Sequence, residues 1–182
     1  MMRFFLITVV ALALTGCFRS DTLITSPEVK VTEKVSTSFR SIEVLEVSLP
    51  DYATGDEIAL ENDGSLALSR AIWADDPTRA VTLGLSRNLT EITGRSVAPE
   101  PWPFDERAAA RVDVRVEQML VSGGQMRMSG QFFVTDLEGR GRNRARLFDL
   151  TVPMETVNAQ TAAEGRAKLV ASLASRIAKD GL

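Results

Sequence analysis

Two long stretches of alternating apolar residues, joined by a pair of glycines, restrict the fold of this chain more than any other feature. The first stretch covers residues 112–120 and the second covers residues 126–134. Side chains of a strand point alternately to opposite faces, so this alternation predicts two strands, each with one buried face. The turn at Gly123-Gly124 predicts that they pair as the central hairpin of an antiparallel sheet. The apolar positions are Val112, Val114, Val116, Leu120, Met126, Met128, Phe132 and Val134.

Further strands are predicted on both sides of this hairpin. Apolar residues alternate from Ile42 to Leu49, and the run stops at Pro50. Asp63-Gly64 stands between two short apolar runs, which is a strong signal for a second hairpin. A turn at residues 138–141 leads into a last predicted strand over residues 145–152.

Two helices are predicted from apolar residues that recur at a spacing of three or four. The first covers Pro77 to Thr93 and the second covers about Glu155 to Lys179. The order of strands, helix, strands and helix predicts an α+β fold. We expect an antiparallel or mixed sheet with two main helices packed on one face.

The 182 residues include no histidine and one cysteine, Cys17. A Ser-His-Asp triad and a Cys-His nucleophile both need an imidazole, so neither can form. Zinc sites draw on Cys and His, and an internal disulfide needs a second cysteine. We therefore expect no catalytic residues of these classes, no metal and no cofactor. The net charge of −3 also gives no general attraction to nucleic acid.

Residues 1–17 resemble the signal peptide of a bacterial lipoprotein. Arg3 is followed by an apolar run over residues 4–14, which is too short for a permanent membrane-spanning helix. Leu14-Thr15-Gly16-Cys17 comes next and is similar to the lipobox of that family. The alternative is an ordinary signal peptide with a cysteine near its cleavage site. The resemblance implies cleavage before Cys17 and acylation of that cysteine, with palmitate as one of the acyl groups.

The segment after Cys17 bears on where the protein is held. Acyl chains anchor a protein to the lipid bilayer, since each buried methylene contributes about 0.8 kcal/mol. Phe18 stands where inner-membrane lipoproteins of enterobacteria show Asp, so the resemblance implies the periplasmic face of the outer membrane. Residues 18–40 are rich in Ser, Thr, Lys and Glu, which predicts a flexible tether.

The predicted organisation has three parts. Residues 1–16 are a lipoprotein signal peptide, and residues 17–40 are the lipidated cysteine and the tether. Residues 41–182 form a single α+β domain. The start of the sheet stays open between residues 29 and 41, where Val29 to Val35 could pair as an edge strand.

Two tryptophans are candidate contacts for a lipid or a partner protein. Trp73 lies just ahead of the first predicted helix, and Trp102 lies between Pro101 and Pro103. The alternative for each tryptophan is a place in the core, because aromatic side chains dominate cores.

Arg140, Arg142, Arg144 and Arg146 occupy every second position, and a strand would place all four on one face. Such a face is a candidate patch for a partner, for phosphate or for lipid headgroups. The alternative is a solvated hairpin tip whose charges protect the edge of the sheet.

Several segments after the lipobox resemble the PqiC-like family of ABC-type transport auxiliary lipoproteins. Their order and spacing cover most of the predicted domain, from about residue 41 to residue 180. The segments are Val47-Ser48-Leu49-Pro50-Asp51-Tyr52, Arg70-Ala71-Ile72-Trp73, Leu85-Ser86-Arg87-Asn88-Leu89, Pro101-Trp102 and Val112-Asp113-Val114-Arg115-Val116.

The resemblance implies a non-enzymatic component of an intermembrane lipid-transport system. Its partners would be an MCE-domain protein that bridges the two membranes and the inner-membrane transporter components, and a homo-oligomer stays open. Acylated Cys17 would contact the bilayer, and no nucleic acid would be bound. Two alternatives remain, a structural lipoprotein of the cell envelope and a periplasmic hydrolase that uses carboxylates or a Ser-Lys pair.

Overall fold

The computed structural model describes residues 22–182, so the predicted signal peptide and Cys17 lie outside the described part of the chain. Residues 22–182 form eight strands and three helices. The strands are β1 (Leu23–Ile24), β2 (Ser41–Val44), β3 (Glu57–Asn62), β4 (Ser65–Trp73), β5 (Ser96–Pro99), β6 (Ala110–Ser122), β7 (Gln125–Asp136) and β8 (Arg144–Pro153). The helices are α1 (Asp51–Thr54), α2 (Pro77–Thr93) and α3 (Ala159–Asp180).

Strand β6 organises one mixed sheet. On one side it pairs antiparallel with β7, which in turn pairs antiparallel with β8. On its other side the start of β6 pairs parallel with β2, and Val121 near its end meets Leu60 of β3. Strand β5 lies beyond β2, and β4 and β1 lie beyond β3. The predicted α+β class, the mixed sheet and the central hairpin are confirmed.

The capping residues explain where the two main helices begin and end. Asp76 accepts a hydrogen bond from the N–H of Arg79 at 2.7 Å, and Gly94 ends α2 with a φ of 64°. Helix α2 therefore has the predicted bounds. Helix α3 begins at Ala159 instead of Glu155, because Asn158 and Thr161 bond to each other's backbone N–H in a capping box.

Both main helices pack on one face of the sheet and enclose the core, as predicted. The apolar face of each helix is fully buried, and Leu85, Leu89, Leu169 and Leu173 have no exposed surface. Alternate residues of β6 and β7 form the sheet side of the core, among them Val112, Val114, Met128 and Phe132.

Residues 22–40, here named the strap, lie along the domain. Ile24 of β1 is opposite Trp73 of β4. Further on, Glu33 accepts hydrogen bonds from Ser175 at 2.5 Å and from Lys179 at 2.6 Å, both on α3. These contacts favour a folded unit that begins by residue 22 instead of residue 41.

The strap ends in the core. The N–H of Val35 donates to the carbonyl of Ile92 at 2.9 Å, and the Thr37 hydroxyl donates to the carbonyl of Leu182 at 3.0 Å. Phe39 is buried. The edge strand considered for Val29 to Val35 does not form, and the strand of this segment is β1 at Leu23–Ile24.

Candidate functional site

The structure separates the two tryptophans. Trp73 is the last residue of β4 and is buried beneath the guanidinium of Arg166, which lies 3.6 Å from the ring centroid. A residue in this position cannot be a surface contact for a partner. Trp102 is half-buried, and its ring meets the exposed ring of Phe104 edge to face at 5.0 Å.

The four arginines do not share one strand face, because β8 begins only at Arg144. Arg140 and Arg142 belong to the preceding turn. The guanidinium of Arg142 covers the ring of Phe39 at 4.4 Å and bonds to Ser38, so it fastens the turn to the strap. Arg140 pairs with Glu138 at 2.9 Å. Arg144 and Arg146 are exposed on β8, opposite Val134 and Phe132 of β7.

A buried carboxylate shapes this turn. Asp136 accepts hydrogen bonds from the backbone N–H groups of Glu138 and Arg140, each at 3.0 Å. Burial raises the pKa of Asp136, but bonds from the backbone of Glu138 and Arg142 and from the Arg142 guanidinium outweigh burial. The pKa of this carboxyl is therefore lower than its ordinary value. The Asp136 carboxylate and the Arg142 guanidinium stabilise the turn, so Arg142 has a structural role here.

Trp102 and the arginine turn lie at the same end of the sheet. The indole N–H of Trp102 donates to the carbonyl of Glu106 at 2.7 Å. The guanidinium of Arg40 lies 3.9 Å from the carboxylate of Glu106 and 3.7 Å from that of Glu138. We name this surface, formed by residues 100–107 and 138–146, the aromatic–arginine end.

A second site escaped the sequence analysis, a cavity of about 610 Å³ between the strap and helices α2 and α3. Its walls include Val81, Leu83 and Gly84 of α2 and Val170 of α3. Glu28 of the strap forms an ion pair with Arg87 of α2 at the cavity wall. The volume falls in the range of sites that hold small molecules, roughly 300–1,000 Å³.

Arg166 lies in the wall of this cavity and is 3% exposed. Its Nε and Nη2 donate to the Ser26 hydroxyl at 3.0 and 2.7 Å, and its Nη1 has no partner within residues 22–182. Burial lowers the pKa of Arg166 to about 10, although the charge of Asp75 opposes that shift. The guanidinium therefore stays charged at neutral pH.

A signal for Arg166 was present in the sequence. The residue lies three and four positions before Leu169 and Val170, on the apolar face of α3. A charged residue within the apolar face of a helix is unusual, and it predicts a buried partner group. The strap could not be placed from sequence, so neither Ser26 nor the cavity could be predicted.

Residues 22–182 hold no group of three or more acidic or cysteine side chains arranged to bind a metal ion. None of their helices has the length and apolar character to cross a membrane.

Two solved structures share this fold. One of uncharacterised function has a TM-score of 0.70 and 16% identity, over 88% of this chain and 98% of its own. A protein from Xanthomonas campestris has a TM-score of 0.65 and 14% identity, over 86% of this chain and 92% of its own. At such identities the likeness shows the fold alone. No curated protein matches the sequence.

The match that identifies the chain comes from a family. Residues 22–178 match the family described as "ABC-type transport auxiliary lipoprotein component". The match includes the strap, both main helices and all eight strands, and it agrees with the resemblance found in the sequence. The chain therefore belongs to the family of ABC-type transport auxiliary lipoprotein components.

Proposed function

We propose that this protein is a lipid-anchored, non-enzymatic subunit that holds the periplasmic bridge of an MCE-type lipid transporter at the outer membrane. The observation that carries the proposal is the course of the strap. It enters the domain at Ile24, beside Trp73, and reaches the aromatic–arginine end at Ser38 and Phe39. An anchor at Cys17 would therefore precede one end of the strap, and the candidate docking surface lies at the other end.

The anchor would hold the domain close to the bilayer. Thr22, the first described residue, lies five positions after Cys17. An extended chain spans about 3.3 Å per residue, so this segment reaches at most roughly 17 Å. Strand β1 holds the chain to the sheet at Leu23 and Ile24, so the residues after it add no reach.

The Cys17 thiol is the only acyl acceptor of its kind in the sequence. Cys17→Ala should therefore abolish incorporation of radiolabelled palmitate and leave the uncut precursor in the cell. Labelling followed by electrophoresis measures both effects. Label of equal intensity on the mutant protein would rule out Cys17 as the acylated residue.

The docking surface combines two features common in protein interfaces. Trp102 and Phe104 form an aromatic pair on the surface, with Phe104 56% exposed. The Arg144 and Arg146 guanidinium groups each donate to a neighbouring backbone carbonyl, at 2.9 and 3.0 Å. Aromatic and arginine side chains dominate the energetic centres of interfaces. Within residues 22–182, β8 pairs with β7 alone, so its other backbone edge is open to a partner strand.

The test compares recovery of the MCE-domain protein encoded nearby. The double variant Arg144→Ser and Arg146→Ser should lose at least tenfold of the co-purified partner, because interface anchors each contribute roughly 1–2 kcal/mol or more. Circular dichroism should show an unchanged fold, since both side chains are exposed. Arg70→Ser, an exposed arginine of β4 away from this surface, is the matched control and should recover the partner like wild type.

Two results would count against the proposal. Equal recovery with the double variant would return Arg144 and Arg146 to the role of charges that protect a sheet edge. A wild-type protein that recovers no MCE-domain protein would contradict the transport role itself and favour a structural lipoprotein.

A further inference from the structure

The guanidinium of Arg166 makes fewer and weaker hydrogen bonds than its buried charge requires. Its Nε and Nη2 form the fork that binds the two oxygens of a carboxylate or phosphate, yet both donate to one neutral oxygen, the Ser26 hydroxyl. Its Nη1 is buried and unpaired within the described residues. A buried charge without a hydrogen-bonded opposite charge is costly, which makes this arrangement unusual for a purely structural arginine.

The acidic group that acts on the charge of Arg166 does not complete the fork. Asp75 lines the same cavity, but its carboxylate accepts from the Arg79 guanidinium at 2.5 Å and from the N–H of Asp76 at 3.0 Å. Its effect on Arg166 is electrostatic, with no hydrogen bond between them in the described structure. Glu28, also at the cavity, is paired with Arg87. Arg166 thus remains the buried cation that faces the strap.

One side of the cavity is apolar, whereas Glu28, Asp75, Arg87 and Glu91 also line it. On the apolar side Val81 and Val170 are buried, Leu83 is 36% exposed, and Gly84 lets α2 and α3 approach closely. A Cβ at Gly84 would lie 3.3 Å from Cγ1 of Val170, so the glycine permits this spacing of α2 and α3. A charged fork beside an apolar wall fits a ligand with one anionic end and one hydrocarbon chain.

The segment of the strap over this cavity is loosely held. The N–H of Ala74 donates to the carbonyl of Ile24, and the next backbone hydrogen bond of the strap is that of Val35. Residues 25–34 are held by side chains, so Ser26 can leave Arg166 without breaking any backbone pair of the described sheet. Ile24 at the rim lies seven positions after Cys17, so an acylated Cys17 would keep the cavity within roughly 23 Å of the bilayer.

We propose that the cavity binds a single-chain anionic amphiphile. Its headgroup, a carboxylate or phosphate, accepts hydrogen bonds from the Arg166 fork in place of the Ser26 hydroxyl. Its hydrocarbon chain lies against Val81, Leu83 and Val170. The site is separate from the aromatic–arginine end, so it does not depend on the docking proposal.

Trp73 provides a reporter for this site, because the chain has two tryptophans and Trp102→Phe leaves Trp73 alone. The acylated protein with that change is held in maltoside micelles at fixed detergent concentration. Palmitoyl lysophosphatidate should change Trp73 fluorescence in a saturable manner. Palmitoyl glycerol, which has the same chain without charge, and inorganic phosphate, which has the charge without a chain, should each bind at least tenfold more weakly.

Two variants separate the headgroup from the chain. Arg166→Met keeps a long side chain over Trp73 but removes the fork, and affinity for lysophosphatidate should fall roughly ten- to hundredfold. Ala167→Phe fills the cavity from α3, keeps Arg166, and should also abolish saturable binding. Without ligand, Arg166→Met should unfold at the same or a higher temperature than the parent, because the unmatched charge is gone.

Each result that would contradict the amphiphile site has a different meaning. Equal binding of inorganic phosphate would show a free-anion site and overturn the amphiphile. Equal binding of palmitoyl glycerol would remove the role of Arg166 in recognition. No saturable signal from lysophosphatidate, or a lower unfolding temperature for unliganded Arg166→Met, would make Arg166 a structural residue and overturn the site.

Discussion

Gly130→Ala should destabilise the protein by more than about 3 kcal/mol, which is a large part of the stability of a domain this size. A Cβ at Gly130 would lie 2.1 Å from the carbonyl oxygen of Arg115 and 2.9 Å from Cα of Val116. Both atoms belong to the backbone of β6, so no side-chain rotation relieves the overlap. The register of β6 shifts just after Val116, and this irregularity lies beside Gly130.

Urea unfolding followed by circular dichroism measures the loss. Gly55→Ala is the matched control, because a Cβ there meets nothing within 4 Å and the φ of −73° suits alanine. The control should be neutral or stabilising by up to about 1 kcal/mol. A Gly130→Ala protein as stable as the Gly55→Ala protein would show that the two central strands separate freely, contrary to the described packing.

Leu169→Ala should cost about 2–5 kcal/mol, since the side chain is completely buried and its removal leaves a cavity between α3 and the sheet. The same range applies to Leu85, Leu89 and Leu173, which share its burial. Lys168→Ala, one position earlier on the solvent side of α3, should change stability by less than about 0.5 kcal/mol. Similar midpoints for Leu169→Ala and Lys168→Ala would mean that the assigned apolar face of α3 is wrong.

The elements predicted from sequence are those with a local signal. Helix α2 has its predicted bounds because Asp76, Pro77 and Gly94 mark both ends within the segment itself. The hairpin of β6 and β7 follows from strict alternation and two glycines. The start of α3 was placed at Glu155, since the apolar period continues there, whereas the capping pair of Asn158 and Thr161 decides it.

The elements that were missed depend on distant partners. The strap carries few apolar residues, and its position comes from single contacts with α2, α3 and the chain end, such as Thr37 with Leu182. Strand β2 stops at Val44, but Leu45 and Ser48 still hydrogen-bond to the backbone of β6, and Val47 and Leu49 are buried. The apolar residues of this segment therefore face the core although the regular strand has ended.

In the candidate site, too, residues with a local signal were predicted and residues positioned by distant partners were not. Alternation correctly predicted Arg144 and Arg146 on a strand. Arg142 instead forms an ion pair with Asp136 and stacks on Phe39, and the spacing of the arginines does not predict either contact. Trp73 was weighed as a core residue or a surface contact, and burial decides for the core. Its stacking partner is more than ninety positions away at Arg166, beyond the reach of any local pattern.

The strap has a mechanical consequence for a protein held by its amino-terminal end. Its contacts are arranged in series along the chain, from β1 through Glu28 and Glu33 to Thr37. A pulling force applied ahead of residue 22 meets these contacts one after another instead of sharing its load among them. The force that detaches the first part of the strap is therefore set by the pairing of β1 with β4, and Phe39 is pulled on only after the later contacts of the strap have broken.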